Sequence, residues 1–276
     1  MNYKTILVHI DQGKHSEKRL KVAIQLAKQY DAYLVGCYVF SPHIPADYIM
    51  THIKAELKAT EDKIAFASMA RAEEVFRKQT SAAGLEKIEW HTAYEELASA
   101  ISLRAQYADL VLIGQSDTAD ELRLPMDFPE RLVLAAARPV LILPTAGDFP
   151  TIGKRILVAW NASQEATRAV SNATPFLRAA DSVYVMAVNS KTSKHNSIQS
   201  ENMVQYLERL GVHAQLKDVH NVEIDVGNAL LSSVSDLAAD LIVMGCYGHS
   251  RLREWVLGGA TRTILDSMTV PVLMSH

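Results

Sequence analysis

Cysteine is nearly absent: the 276 residues hold only Cys37 and Cys246. The two lie in separate apolar contexts with no C-x-x-C or metal-ligand spacing, which excludes a disulfide scaffold and a cysteine zinc centre and leaves reduced structural thiols as the expectation. Cys246 is the less settled of the two, because it sits in a glycine-rich stretch where exposure and helix dipoles lower a thiol pKa. Excess positive charge is missing too. A net charge of −3 with neutral histidine offers no basic field for collecting nucleic acid or anionic lipid. No apolar run approaches the roughly 20 residues that span a bilayer. The opening Met1-Asn2-Tyr3-Lys4-Thr5 runs straight into strand-like sequence, without the basic, apolar and small-residue sections of a signal peptide. These absences lead us to expect the cytoplasm, with neither a membrane nor a nucleic acid as partner.

Catalytic signatures are scarce as well. The chain contains no Gly-x4-Gly-Lys-Ser/Thr loop, Gly-x-Gly-x-x-Gly fingerprint, His-Glu-x-x-His helix or Gly-x-Ser-x-Gly elbow, and its ten histidines form no metal-ligand cluster. Gly248-His249-Ser250 sets a base beside a hydroxyl, but neighbours on a loop do not establish nucleophile geometry. A dedicated enzyme is therefore not expected.

What is present is an ordinary globular composition, 49% hydrophobic and 21% charged, laid out twice. Ile6-Leu7-Val8-His9-Ile10-Asp11 recurs as Ile156-Leu157-Val158-Ala159-Trp160-Asn161. Ala108-Asp109-Leu110 through Gly114 recurs as Ala239-Asp240-Leu241 through Gly245, and Pro139-Val140-Leu141 as Pro271-Val272-Leu273. The copies are separated by Pro144-Thr145-Ala146-Gly147-Asp148-Phe149-Pro150-Thr151, a run of turn formers, so the domains are drawn at 1–146 and 152–276.

Each copy alternates strand and helix. In the first, strands are expected at 4–10, 32–40, near Ile88, at 110–114 and 140–143. Between them lie a helix capped by Ser16, a long helix from about Tyr48 to Ala83 stopped by Gly84, and helices near 97–107 and 128–137. The second repeats the order with strands 155–160, 182–188, 212–219, 241–245 and 271–275, and helices from Ser163, near 198–210, at 226–238 and at 260–268. The near-continuous apolar strands, separated by helices, predict parallel sheets covered on both faces. The insert at 41–84 is read first as a solvated helix, with cover for a sheet face or contact with a partner as alternatives.

Ligands of open α/β sheets gather at the carboxyl ends of the strands, where strand order reverses. In the second copy those ends present Ala159-Trp160-Asn161, Val188-Asn189 and Met244-Gly245. Beyond Gly245 runs the spacing Gly245-x2-Gly248-x9-Gly258, followed by Gly259, Ala260 and Thr261 where a helix begins. Glycines let backbone amides approach an anion, and the free N–H groups of a helix start point toward it. Thr261 adds a hydroxyl. His249 and Arg251 are either phosphate contacts or solvated loop charges, while Trp255 and Leu257 are expected to hold the loop down. Asn161 is a candidate ligand contact, with a helix cap or an Asx turn as the structural alternative, either of which is compatible with that contact. The bland alternative for the whole loop is a strand-to-helix connection that binds nothing.

These motifs resemble the universal stress protein family, in its tandem form, over nearly the whole chain. The resemblance implies two Rossmann-like α/β domains, each a five-stranded parallel sheet flanked by helices. The terminal strands Val140–Leu143 and Val272–Ser275 would meet so that the chain imitates a family dimer, and two such chains are candidates for a further homodimer. It also implies ATP or another adenine nucleotide, with Mg²⁺ as a candidate companion. The ligand would lie against Ala159, Trp160, Asn161, Val188, Met244, Gly245, Gly248, His249, Gly258, Gly259, Ala260 and Thr261. The implied role is stress-response regulation, with weak ATP hydrolysis as at most a side reaction; the competing role is a scaffold that binds no nucleotide. Two positions depart from the nucleotide-binding branch: Gly259 stands where that branch has Ser or Thr, and Asn161 where it has an acidic residue. The first copy keeps Asp11, but its Gly114 is followed by Gln115-Ser116-Asp117-Thr118 without later glycines. It is expected to be degenerate as a nucleotide site, the more so because Asp117, Asp120 and Glu121 repel phosphate.

Overall fold

The computed structural model describes residues 2–41, 53–117, 119–120, 124–188, 194–219, 225–246 and 259–276. By contacts the chain divides into two compact units, one of Tyr3–Ala136 and one built on Ala137–His276.

In the first unit the strands β1 (Thr5–Ile10), β2 (Tyr33–Phe40), β3 (Ile88–Tyr94) and β4 (Leu110–Gly114) form a parallel sheet in the order β3-β2-β1-β4. Ile6, Leu7, Val8 and Leu110 to Ile113 are buried, as continuous apolar strands covered on both faces require. Helix α1 (Ser16–Tyr30) turns Leu20, Ala23, Ile24 and Ala27 inward at the predicted spacing. Ser16 does not cap it. Ser16 is the first helical residue, and its hydroxyl instead accepts the Asp11 N–H at 3.1 Å, folding the turn after β1 back on itself. Helices α3 (Leu97–Ala105) and α4 (Phe128–Ala135) complete the unit.

The long helix α2 runs from Ile53 to Ala82, and the part of its expected span before residue 53 lies outside the described residues. It is not merely solvated: Ala65, Ala72, Phe76 and Thr80 are buried, and Phe76 meets Trp90 of β3 with ring centroids 5.2 Å apart. The sequence understated this because two of those four buried positions are alanines, which carry little periodic signal. Gly84, at φ 66°, and Gly211, at φ 78°, take the left-handed conformation beyond their helices that only glycine adopts without strain.

The second unit holds β6 (Arg155–Trp160), β7 (Ser182–Val188), β8 (Ala214–Val219), β9 (Leu241–Gly245) and β10 (Val272–Ser275), all parallel, in the order β8-β7-β6-β9-β10. Its helices are α5 (Gln164–Asn172), α6 (Thr174–Ala179), α7 (Lys194–Arg209), α8 (Val226–Leu237) and α9 (Gly259–Ser267). Strand β5 (Val140–Leu143) joins this unit, pairing antiparallel with β10 in the register Val272↔Ile142 and Met274↔Val140. The two terminal strands thus meet as expected, which satisfies an edge that would otherwise expose backbone donors and acceptors.

An aspartate outside each sheet fixes where the first strand starts. The Asp109 carboxylate accepts the N–H groups of Lys4 and Thr5 at 2.8 and 2.9 Å, and its repeat Asp240 accepts those of Gly153, Lys154 and Arg155 at 3.1, 3.1 and 2.8 Å.

Candidate functional site

In the second unit strand order reverses at β6, which lies between β7 and β9. The register sets Ala159 beside Met244 and Trp160 beside Ala187, so the sheet's carboxyl edge brings together the ends of β6 and β9 named from the sequence, while Asn189 lies outside the described residues. Val188 closes β7 at the same edge. Strand β9 ends at Gly245 and α9 begins at Gly259; the loop glycines Gly248 and Gly258, with His249, Arg251, Trp255 and Leu257, lie outside the described residues.

The turn after β6 is tightly determined. Asn161 Oδ1 accepts the Ser163 N–H at 3.1 Å, and Ser163 Oγ accepts the Ala166 N–H at 3.1 Å, capping α5. Asn161 therefore makes the Asx turn that was its structural alternative, leaving its amide N–H₂ as the group available to a ligand. The turn throws the first turn of α5 across the end of β9. A Cβ added to Gly245 would meet the backbone nitrogen of Ala166 and lie 2.6 Å from the carbonyl carbon of Glu165. Gly245 is thus required by helix packing, whatever passes over it.

At the far side, Gly259 and Ala260 open α9 with little burial, while Thr261 is only 4% exposed, its side chain turned into the domain. Asp225, which sequence reasoning passed over, caps α8 through the Gly227 N–H at 3.0 Å and accepts the Thr263 hydroxyl of α9 at 3.0 Å. Its other oxygen lies 3.6 Å from where a Cβ of Gly259 would be. A carboxylate beside a helix start interacts favourably with the dipole, and so competes with a phosphate for the same end. Trp160 keeps its indole N–H buried and unpartnered at the carboxyl end of β6. Cys246 is fully buried, its carbonyl accepting from or facing His276 Nδ1 at 3.0 Å. The exposure entertained for it from its glycine-rich setting is overturned, because β9 and β10 carry it inside.

The matching edge of the first unit is occupied by its own charges. Arg19, only 3% exposed, donates from Nε to the His9 carbonyl at 2.7 Å and from Nη2 to Asp11 Oδ2 at 2.6 Å. Asp11 also accepts the Gly13 N–H at 2.9 Å. Burial by itself would push the Asp11 carboxyl up, but Arg19, His9 and the Gly13 N–H outweigh it and hold the carboxyl below its ordinary value. The loop after β4 is fastened to the loop after β1: Asp117 meets Lys14 Nζ at 2.7 Å and His15 Nε2 at 3.1 Å, and Asp120 accepts the Lys14 N–H at 3.0 Å. Those contacts, led by the Lys14 hydrogen bond, keep Asp117 far below the carboxylate range.

His9 lies behind this pair, 1% exposed, against the Phe128 ring with centroids 5.6 Å apart, its Nδ1 without a hydrogen bond and 3.7 Å from Asp11 Oδ2. Burial lowers its pKa to about 4, against the attraction of Asp11. The folded state thus resists a proton that the unfolded chain accepts near 6.5, so the contribution is intact above pH 6.5 and is lost as pH falls toward 4. At pH 5 the loss is about 2 kcal/mol. We expect His9→Gln to flatten the decline of urea-unfolding stability between pH 6.5 and 4; an unchanged slope would remove His9 as its source.

Among the described residues no His, Cys, Asp and Glu group is placed to hold a metal ion, and no helix is long and apolar enough to cross a membrane.

Comparison with known proteins adds identity to this geometry. The sequence model of the universal stress protein family matches twice, at residues 2–144 and 153–276. The universal stress protein Slr1230 of Synechocystis is 25% identical over 231 residues, covering 81% of this chain and 75% of that protein. A crystal structure of a universal stress protein from Archaeoglobus fulgidus superposes with a TM-score of 0.72 at 17% identity, covering 98% of this chain and 97% of that one. A Pseudomonas aeruginosa protein of unknown function superposes at 0.62 and 16% identity, covering 99% and 92%. At those identities the two structures speak for the fold alone. The repeated α/β unit, its strand order and the double family match lead to one conclusion: the chain belongs to the universal stress protein family, with two such domains in tandem.

Proposed function

We propose that the second domain binds an adenine nucleotide, ATP or a relative, and that the protein acts in the cytoplasm as a stress-response regulator through the conformation or association of the bound form. It is not a dedicated catalyst. One observation carries this reading: the strand leading into Gly245-x2-Gly248-x9-Gly258 ends at the point where strand order reverses, and a helix begins directly after that sequence. The base and ribose would lie over Ala159, Trp160, Asn161, Val188 and Met244. The phosphates would meet the amides of Gly245, Gly248, Gly258, Gly259 and Ala260, with His249 as a further donor. The small residues Ala159, Gly259 and Ala260 suit a close-lying nucleoside phosphate, and the orphaned Trp160 N–H is a donor still in need of a partner. Mg²⁺ would screen the phosphates from Asp225. Thr261, being buried, is not given the hydroxyl role.

The scaffold reading draws on Asn161, whose carbonyl oxygen is already used within the chain, and on Asp225 at the helix start. Titration calorimetry on nucleotide-free protein separates the two. Wild type is expected to take up adenine nucleotide, and Gly248→Val and Gly258→Val to weaken it by about tenfold or more, corresponding to roughly 1.4 kcal/mol. No uptake by wild type, together with no nucleotide released from denatured protein, would leave the scaffold standing.

A further inference from the structure

The repeat makes an internal comparison possible. Asn161 of the second copy stands at the position of Asp11 in the first, and Ala169 at the position of Arg19. Both helices turn that later position inward, since Arg19 and Ala169 are buried. What differs is what fills the strand end. Over Gly245 lies the backbone of a helix's first turn, whereas over Gly114 lies Nη1 of Arg19, 2.5 Å from where a Cβ would be. The guanidinium reaches from α1 across the ends of β1 and β4, using its other nitrogens on the His9 carbonyl and Asp11. On the outer side, Asp117 holds Lys14 and His15, so the cations nearest this edge are already matched to a carboxylate. The recess left among Asp11, Arg19, Gln115 and Asp117 has room for little more than water.

We propose that the first domain is self-liganded: Arg19, anchored on Asp11, fills the recess at the carboxyl ends of β1 and β4, and Asp117 replaces an external anion at its outer side. The tandem chain then carries one nucleotide site, and its first domain is a permanently filled counterpart. This rests on the nucleotide reading of the second domain only for the word "one"; the exclusion of a nucleoside from the first domain stands separately. Arg19 excludes the ligand by filling the recess at the strand ends and by holding the Asp11 carboxylate in an internal ion pair.

Photoaffinity labelling of the full chain with azidoadenosine, followed by peptide mapping, tests it. A neutral nucleoside is chosen so that the acidic loop has no phosphate to repel. In wild type, no labelling that free adenosine competes away is expected within Tyr3–Ala136. The double variant Asp11→Asn/Arg19→Ala removes both charges together and matches the residue pair of the second copy. It is expected to raise competable labelling in peptides containing residues 9–19 or 110–116 by about tenfold or more. Competable first-domain labelling in wild type would overturn the proposal. So would a double variant that melts cooperatively yet gains no labelling, since something other than Arg19 would then exclude the nucleoside. If that variant does not fold, Asp11→Asn/Arg19→Gln, which keeps more side-chain volume, is judged by the same criterion. Labelling of the second domain is scored separately: its absence counts against the nucleotide reading while the first-domain comparison still decides this one.

Discussion

Arg19→Ala alone is expected to destabilise the first domain by about 3–5 kcal/mol, the usual loss when one member of a buried ion pair is removed. The magnitude follows from what would remain. Asp11 would keep its charge in a part-buried turn, with the Gly13 N–H at 2.9 Å and His9 Nδ1 at 3.7 Å left in place of a 2.6 Å guanidinium contact. The His9 carbonyl would lose its 2.7 Å donor, and the side-chain volume over Gly114 would become a cavity. Asp11→Asn alone strands the guanidinium and is also costly. Combining the two should recover much of the loss, because no unpaired charge is then left in the interior, so the double-mutant cycle should be strongly non-additive. Hydrogen exchange over Thr5–Ile10 reads the effect in the right domain. A single-variant loss below about 1 kcal/mol would mean that the pair is solvated enough to behave as a surface salt bridge.

Gly245→Ala should cost about 3 kcal/mol, at the upper end for overpacking, because the added methyl meets backbone that cannot swing aside. The atoms in the way are the Ala166 nitrogen and the Glu165 carbonyl carbon, held by the Ser163 cap and the Asn161 turn. To make room, the first turn of α5 would have to leave β9. Gly259→Ala is the matched control. The nearest atom to its added methyl is Asp225 Oδ1 at 3.6 Å, an ordinary contact, and the expected change in stability is within about 0.5 kcal/mol. Thermal unfolding of the two variants therefore separates a glycine needed by the fold from one available to a ligand. If both are tolerated equally, the close approach of α5 to β9 is wrong as described. The contrast also governs binding experiments: loss of nucleotide in Gly245→Ala would report a displaced helix, whereas loss in Gly259→Ala would report the α9 start itself.

Much of the architecture was legible because its causes are local. Strands 110–114, 140–143, 155–160, 182–188 and 241–245 are found where apolar runs bounded by turn residues put them. Gly84 stops α2 as its position predicted, and Gly211 does the same after α7. Helix ends were less legible where two local signals competed. Ser16 looks like a cap in sequence, but the chain before it turns so that Asp11, rather than the helix's own amides, claims its hydroxyl. The length of α2 was readable while its burial was not, since Ala65 and Ala72 pack as well as larger residues without advertising a face.

The candidate site divides along the same line. From the sequence alone came the glycine spacing, the repeat, and the contrast between a copy with Asp11 and no loop glycines and a copy with the loop and Asn161. Those are properties of residue order and need no coordinates. Only the tertiary structure showed that Gly245 answers to the first turn of α5, that Asp225 reaches the start of α9, that Cys246 is sealed inside, and that Arg19 fills the first domain's strand end. Each of these joins groups on different elements. Burial, charge pairing and steric exclusion depend on distances between elements, and local sequence pattern carries no record of those distances until the sheets have assembled.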